Sequence, residues 1–302
     1  MQNTFTVSTL SFDEIVKESS IKVWKLIDML KLHMLFYKII TGKGLEFDRL
    51  REYLPGDDAR LIDWNAYART TKLFVKVFKE ERLLDAVFVL DVSNTMVLGS
   101  TRLTKNEYSS ILTTTLAYTS NLIGDRVGLI CFSNTIKKVI EPSLGMDSIL
   151  EIAKTLSQKS IYGGKKNWEV VAKTVLETFS SETYVFLISD FIESDDNTLS
   201  FISKASNKFK RVLVLMVRDP LDSYLPKGVG YIYLSDPDTG EVSLVNVDKI
   251  REEYNRRAKE EEERIEKRVK TSGADFIKIY TNEDFLISLA KFFRAKMVEE
   301  WR

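Results

Sequence analysis

Two carboxylates and two hydroxyls stand where buried runs of the chain would turn outward. The run Ala86 to Val92 (AVFVLDV) is short and almost wholly apolar, and it contains Asp91. Ser93 and Thr95 follow Asp91 at alternate positions. A later run, Tyr184 to Ser189 (YVFLIS), ends directly on Asp190. Brought to one rim, Asp91, Ser93, Thr95 and Asp190 form a cage of hard oxygen donors. Such a cage suits Mg²⁺, Mn²⁺ or Ca²⁺ and not a soft metal. The same residues also have a plainer use. Ser and Thr after a strand cap helices, and an Asp there can bond nearby backbone amides. Spacing alone leaves both uses open.

Other chemistry has little material to work with. His33 is the only histidine and falls within a helical pattern, where it reads as a packed or surface residue. No second His remains for a Ser-His-Asp arrangement. Cys131 lies inside the apolar run RVGLICF, so it reads as a core thiol and not a nucleophile. One Cys makes neither an intrachain disulfide nor a multi-Cys zinc site, and fits a reducing compartment. No GxxxxGK[ST] loop occurs. Gly42 and Gly44 follow a helical stretch, which is the wrong context for dinucleotide binding.

Parallel buried strands are what would place two Asp residues on one rim. Four continuous apolar runs read as strands covered on both faces: Ala86–Val92, Arg126–Phe132, Tyr184–Ser189 and Arg211–Val217. Helical patterns lie at 13–40, 105–123, 147–156, 168–179 and 283–293, with a late strand at Phe276–Tyr280. This alternation predicts an α/β protein with a mainly parallel sheet between helices. Ligands of such sheets sit beyond the carboxyl ends of the strands, near the point where strand order reverses. Two pieces interrupt the alternation. Gly230 to Asn246 reads as a hairpin turning at Asp238-Thr239-Gly240. Asp248 to Thr271 reads as a charged helix with a thin stripe of Ile250, Tyr254, Ala258, Ile265 and Val269. The expected organisation is an N-terminal helix and extension over 1–82, then the α/β domain over 83–302 with an insertion at about 225–275.

The chain of 302 residues carries 44 Lys plus Arg against 44 Asp plus Glu. Zero net charge argues against a general binder of nucleic acid or anionic membrane. A hydrophobic share of 44% excludes a disordered chain. The start lacks the pattern of a signal peptide, and the stretch Leu26–Ile40 is too short and too interrupted to span a bilayer. The expectation is a cytoplasmic protein without a membrane span.

Between helix and strands lies REYLPGDDARLIDWNAYAR, residues 51–69. Gly56 supplies a turn with positive φ. Asp57, Asp58, Arg60, Asp63 and Arg69 alternate in sign, while Trp64 and Tyr67 add apolar area. The segment reads either as a salt-bridged clamp or as a recognition surface.

VFVLDVSNTM resembles the first strand of a von Willebrand factor A domain, whose metal-ion-dependent adhesion site opens with Asp-x-Ser-x-Ser. Thr95 stands where the second Ser is usual. GDRVGLICFS is similar to that fold's next strand, and VFLISDF to its later strand ending in the metal-site Asp. Glu46-Phe47, the 51–69 segment, the acid after Phe78-Lys79, DPLDSYLP at 219–226 and the following DPDTGE resemble the domain of unknown function 58 family. The resemblance implies a von Willebrand A-like fold, and a degenerate metal site of Asp91, Ser93, Thr95 and Asp190 for Mg²⁺ or another divalent cation. It also implies a partner, a MoxR-type AAA+ ATPase or its client. The family loop usually reads Gly-Gly-Thr-Asn, with the Thr reaching the metal. Here it reads Gly163-Gly164-Lys165-Lys166-Asn167. Like charges at about 4 Å repel by several kcal/mol at an effective dielectric near 20. Either the lysines point outward and a metal binds, or Lys165 or Lys166 pairs with the carboxylates and replaces it.

The functional expectation is a non-enzymatic protein-binding module working with such an ATPase in assembly or maturation of other proteins. The alternative is a phosphatase of the haloacid dehalogenase type, with Asp91 as nucleophile, Ser133 after the second strand, a Lys, and Asp190. Its general acid would stand two residues after the nucleophile, where this chain has Ser93. A surface adhesion module is disfavoured by the missing signal sequence.

Overall fold

The structure is a computed structural model that describes residues 7–40, 46–55, 57, 61–79 and 84–299. The chain forms two compact units: one of Asp28–Leu83, the other of Met1–Ile27 with Leu84–Arg302. Helix α1 (Phe12–Ile40) runs through the division at residue 27.

The larger unit is built on a six-stranded sheet. Its strands are β3 (Asp85–Asp91), β4 (Arg126–Phe132), β5 (Ile136–Ser143), β6 (Thr183–Ser189), β7 (Arg211–Arg218) and β10 (Asp275–Tyr280). Their order is β10-β7-β6-β3-β4-β5. All neighbours are parallel except the edge strand β5, which runs antiparallel to β4. The four central apolar runs become β3, β4, β6 and β7 because a strand covered on both faces buries every residue, not every second one. Val87, Phe88, Val89 and Leu90 are all at most 1% exposed.

Helices cover the sheet. Helices α5 (Trp168–Thr178), α6 (Asp196–Lys208) and α8 (Val247–Thr271) contribute to one core cluster, with Val171, Ile202 and Ile265 packed against Val87, Val89 and Val185. Helices α3 (Lys105–Leu122), α4 (Met146–Leu156), the short α7 (Pro220–Ser223) and α9 (Phe285–Glu299) belong to the unit as well. The first turns of α1 also pack here: Ile15, Val23 and Leu26 are fully buried, and Lys22 pairs with Asp284 at 2.9 Å.

Two elements escape a reading by apolar pattern. Strand β5 (IKKVIEPS) buries only Ile140, as an edge strand does. Helix α6 (DNTLSFISKASNK) is polar on average and buries a narrow face of Leu199, Phe201, Ile202 and Ala205, with Thr198. The expected stripe of α8 is buried in its C-terminal half alone. Ile265 and Val269 are fully buried, whereas Tyr254 is 36% exposed. Glu262 is buried there too, held by Lys278 at 2.8 Å and by the Ser223 hydroxyl.

The hairpin forms as expected, with β8 (Tyr231–Ser235) paired to β9 (Val242–Asn246). The Asp236 carboxylate accepts from the amides of Asp238 and Thr239, both at 2.8 Å, and stabilises the turn. Among the described residues, no helix is long and apolar enough to cross a membrane.

The smaller unit contains the C-terminal part of α1, a two-stranded antiparallel sheet and a short helix. Strand β1 (Glu46–Glu52) pairs with β2 (Phe74–Lys79), with a bulge between Phe47 and Arg49. Helix α2 (Trp64–Thr70) starts at Asp63, whose carboxylate accepts from the amides of Asn65 at 2.9 Å and Ala66 at 3.0 Å. That is the usual work of an Asp at a helix N-cap.

Candidate functional site

Sheet order reverses at β3. From there β4 lies on one side and β6 on the other. The crevice between the carboxyl ends of β3 and β6 is therefore the switch point where such folds hold ligands. Register sets Leu90 beside Ile188, so Asp91 stands level with Ser189 and one residue short of Asp190. Both Asp91 and Asp190 are fully buried.

Each carboxylate oxygen of Asp91 is engaged. Oδ1 accepts from the Ser93 amide at 2.9 Å. Oδ2 accepts from the Ser189 hydroxyl at 2.6 Å and pairs with Lys166 Nζ at 2.9 Å. Asp190 lies between two ammonium groups. Its Oδ1 is 2.6 Å from Lys166 Nζ, and its Oδ2 is 2.9 Å from Lys105 Nζ. The Ile192 amide donates to Oδ1 as well, at 3.1 Å. Lys105 reaches on to Asp222 Oδ2 at 2.8 Å. The result is a chain of alternating charge: Asp91, Lys166, Asp190, Lys105, Asp222.

The electrostatics follow from the geometry. Burial alone would raise the Asp190 carboxyl, but Lys105 and Lys166 outweigh it and hold the group far below the usual carboxylate range. Burial alone would lower Lys166, but the carboxylates of Asp190 and Asp91 outweigh it and raise the ammonium above its ordinary value. Both groups stay charged in a site where Asp190 is fully buried and the Lys166 side chain nearly so.

The local chain is shaped for this. Gly163 and Gly164 have φ of 108° and 92°, a region that disfavours any side chain. A Cβ on Gly164 would lie 2.9 Å from Asn134 Oδ1 and 3.0 Å from Ser133 Oγ. The loop is tied to the end of β3 on both sides of Asn94. The Gly164 amide donates to Asn94 Oδ1 at 2.8 Å, and the Asn94 amide donates to the Gly164 carbonyl at 3.0 Å. The Gly163 amide donates to the Val92 carbonyl at 2.7 Å. Asn167 then caps α5, accepting from the Glu169 amide at 3.0 Å. Lys166 is thus fixed between a pinned loop and a capped helix. After Asp190, Phe191 adopts φ of 54°, which costs roughly 1–2 kcal/mol for a residue with a side chain. Its ring, fully buried and stacked on Trp168 at 5.3 Å, holds it there.

Of the predicted donors, Asp91, Ser93 and Asp190 come together in the buried crevice. Thr95 joins at the edge, its hydroxyl 3.3 Å from that of Ser93. Lys165 does not reach the carboxylates; it is exposed, and its neighbour Lys166 makes the contact. Lys105 was not expected. It opens α3 behind a Thr104–Glu107 capping box, where a cation opposes the helix dipole. That misplaced positive charge was the one signal available.

At the position the resemblance assigns to a metal, Lys166 Nζ contacts both carboxylates. A dication between Asp91 and Asp190 would compete with an ammonium already within 3 Å of both. Among the described residues, no group of three or more His, Cys, Asp or Glu side chains is placed to hold a metal ion.

Of the other singled-out residues, Gly56, Asp58 and Arg60 lie outside the described residues. Asp57 pairs with Arg51 through two contacts of 2.7 Å, and the hydrogen bond from Arg51 lowers its carboxyl. Arg69 donates to the Asn65 carbonyl at 3.2 Å. Trp64 is 63% exposed, its ring edge-on to Tyr67 at 6.3 Å. Cys131 is fully buried, and burial pushes its thiol well above the ordinary value. His33 lies within α1.

Fold and site together define an α/β protein with a mainly parallel sheet and a buried ionic cluster at its switch point. The chain belongs to the family described as Protein of unknown function DUF58, whose model matches residues 49–264. Uncharacterized proteins of Mycobacterium tuberculosis and Mycobacterium bovis are 24% identical over 262 residues, spanning 85% of this chain and 81% of theirs. Among solved structures, the conserved hypothetical protein BatB from Bacteroides thetaiotaomicron matches with a TM-score of 0.50 and 16% identity. It covers 72% of this chain and 99% of that one, a likeness of fold alone. An aerotolerance-related membrane protein from Bacteroides fragilis matches over the same shares with a TM-score of 0.48 and 15% identity.

Proposed function

We propose that the protein is a non-catalytic binding module of von Willebrand factor A-like design, which presents the rim above β3 and β6 to a protein partner. The observation that carries this reading is the engagement of both Asp91 oxygens in a buried site. Both of its oxygens are occupied and the side chain is fully buried. A nucleophile needs a free oxygen facing substrate; a residue that anchors a rim does not. Asp91 therefore serves to hold the rim whose loops carry Asn134 and Lys165 at the surface.

The partner that the family resemblance implies is a MoxR-type AAA+ ATPase or its client, met in the cytoplasm during assembly or maturation of other proteins. The exposed groups at the rim, Lys165 and Asn134, would be read by an acidic or amide-bearing segment of that partner. The test is surface plasmon resonance against a purified MoxR-type ATPase from the same source. Lys165→Glu with Asn134→Ala should weaken binding at least about tenfold, a loss of about 1.4 kcal/mol, with Tm unchanged. Unaltered affinity in that folded variant would remove the rim as the docking site.

A further inference from the structure

We propose that the Lys166 ammonium is the resident cation of the switch-point site, standing in the place of a divalent metal, so that the protein works at this rim without one. The inference concerns the same rim as the binding reading but stands on the ionic geometry alone, whatever docks there.

Three observations carry it. First, position: Nζ lies 2.9 Å from Asp91 Oδ2 and 2.6 Å from Asp190 Oδ1, at a point that bridges the ends of β3 and β6. Second, saturation: an ammonium has three N–H donors, and a third acceptor, the Ile192 carbonyl, stands at 3.4 Å. No donor is left over for a carboxylate arriving from outside. Third, delivery: Gly163 and Gly164 with positive φ, the Asn94 clasp and the Asn167 cap fix the loop that brings the lysine in. A side chain that merely wandered into an empty site would not need such a loop.

With its two lysines the cluster lies within one charge of neutrality. Asp91, Asp190 and Asp222 give three negative charges, and Lys105 and Lys166 give two positive ones. Displacing Lys166 to admit a metal would require its ammonium to find water through a site where its side chain is 9% exposed. Removing the lysine instead leaves a vacancy between two carboxylates, beside the hydroxyls of Ser93, Ser189 and Thr95. Those are hard donors of the kind Mg²⁺ and Mn²⁺ accept.

The chain can therefore be turned into a metal binder by one substitution. The experiment is calorimetric titration and thermal melting of the full chain with MgCl₂ and with MnCl₂ at millimolar concentration, for wild type and Lys166→Thr. Wild type should give neither heat of binding nor a change in Tm. Lys166→Thr should show saturable Mn²⁺ binding and a Tm that rises with metal concentration. If Lys166→Thr folds only when metal is present, that also supports the inference. Lys166→Met serves as a second variant that keeps the apolar stem, and Mn²⁺ should raise its Tm too. Saturable binding of either metal by wild type with a rise in Tm would overturn the proposal. So would folded Lys166→Thr and Lys166→Met variants that both ignore the metals.

Discussion

Lys105 Nζ stands 2.9 Å from Asp190 Oδ2, with both side chains at zero exposure, although the residues are 85 positions apart. The contact joins the first residue of α3 to the residue after β6. Breaking a buried pair from one side leaves an uncompensated charge, at a cost of roughly 3–5 kcal/mol. Lys105→Met and Asp190→Asn should each lose about that much in urea denaturation. The double variant should lose clearly less than the two losses combined, because the second change removes the orphaned charge. Additive losses would show that the pair is not coupled.

The same cluster fixes a pH profile. The folded chain holds Asp190 below the usual carboxylate range, so its contribution is full above the unfolded value, about 3.9, and is lost as pH falls below it. Lys166 is raised when folded, so its contribution is full below the unfolded value, about 10.4, and is lost as pH rises through the folded one. Between about pH 5 and 9 the cluster leaves stability flat. Denaturation midpoints across pH should fall at both extremes, and the acid limb should be shallower in Asp190→Asn. An identical acid limb would place the titrating groups elsewhere.

Gly163 and Gly164 share a backbone conformation that would strain any side chain, but not a clash. Both have φ near 100°, yet a Cβ on Gly163 meets only Asn94 Oδ1 at 3.5 Å, while one on Gly164 meets Asn134 Oδ1 at 2.9 Å. Gly163→Ala should cost about 1–2 kcal/mol from backbone conformation alone. Gly164→Ala should cost more, because the Ser133–Asn134 turn must also shift. Equal losses by chemical denaturation would mean that the close approach carries no energy.

Much of this architecture was legible because a strand buried on both faces leaves an unbroken apolar run. β3, β4, β6 and β7 could be read within a residue or two, and with them the rim positions of Asp91 and Asp190. β5 and α6 were not legible, since an edge strand burying Ile140 alone and a mostly polar helix carry little periodic signal. Lys105 was hidden for a different reason. A lysine at the start of a helix normally reaches into water. Only the tertiary meeting of α3 with the loop after β6 and with Asp222 turns it into a core residue. The choice between Lys165 and Lys166 likewise depended on the direction in which two glycines turn the chain, which composition does not encode.

An aspartyl phosphatase requires a carboxylate oxygen free to attack phosphorus and an acid to protonate the leaving group. Asp91 Oδ1 is held by the Ser93 amide at 2.9 Å, and Oδ2 by Ser189 at 2.6 Å and Lys166 at 2.9 Å. Ser93 occupies the position of the acid and is 1% exposed. A substrate phosphate would have to displace the ammonium and reach a carboxylate that is fully buried. The purified protein should therefore show no turnover of p-nitrophenyl phosphate above buffer, with or without millimolar Mg²⁺. The decisive comparison is with Asp91→Asn. Robust hydrolysis by wild type that disappears in this variant, with Tm retained, would replace the binding module by an enzyme.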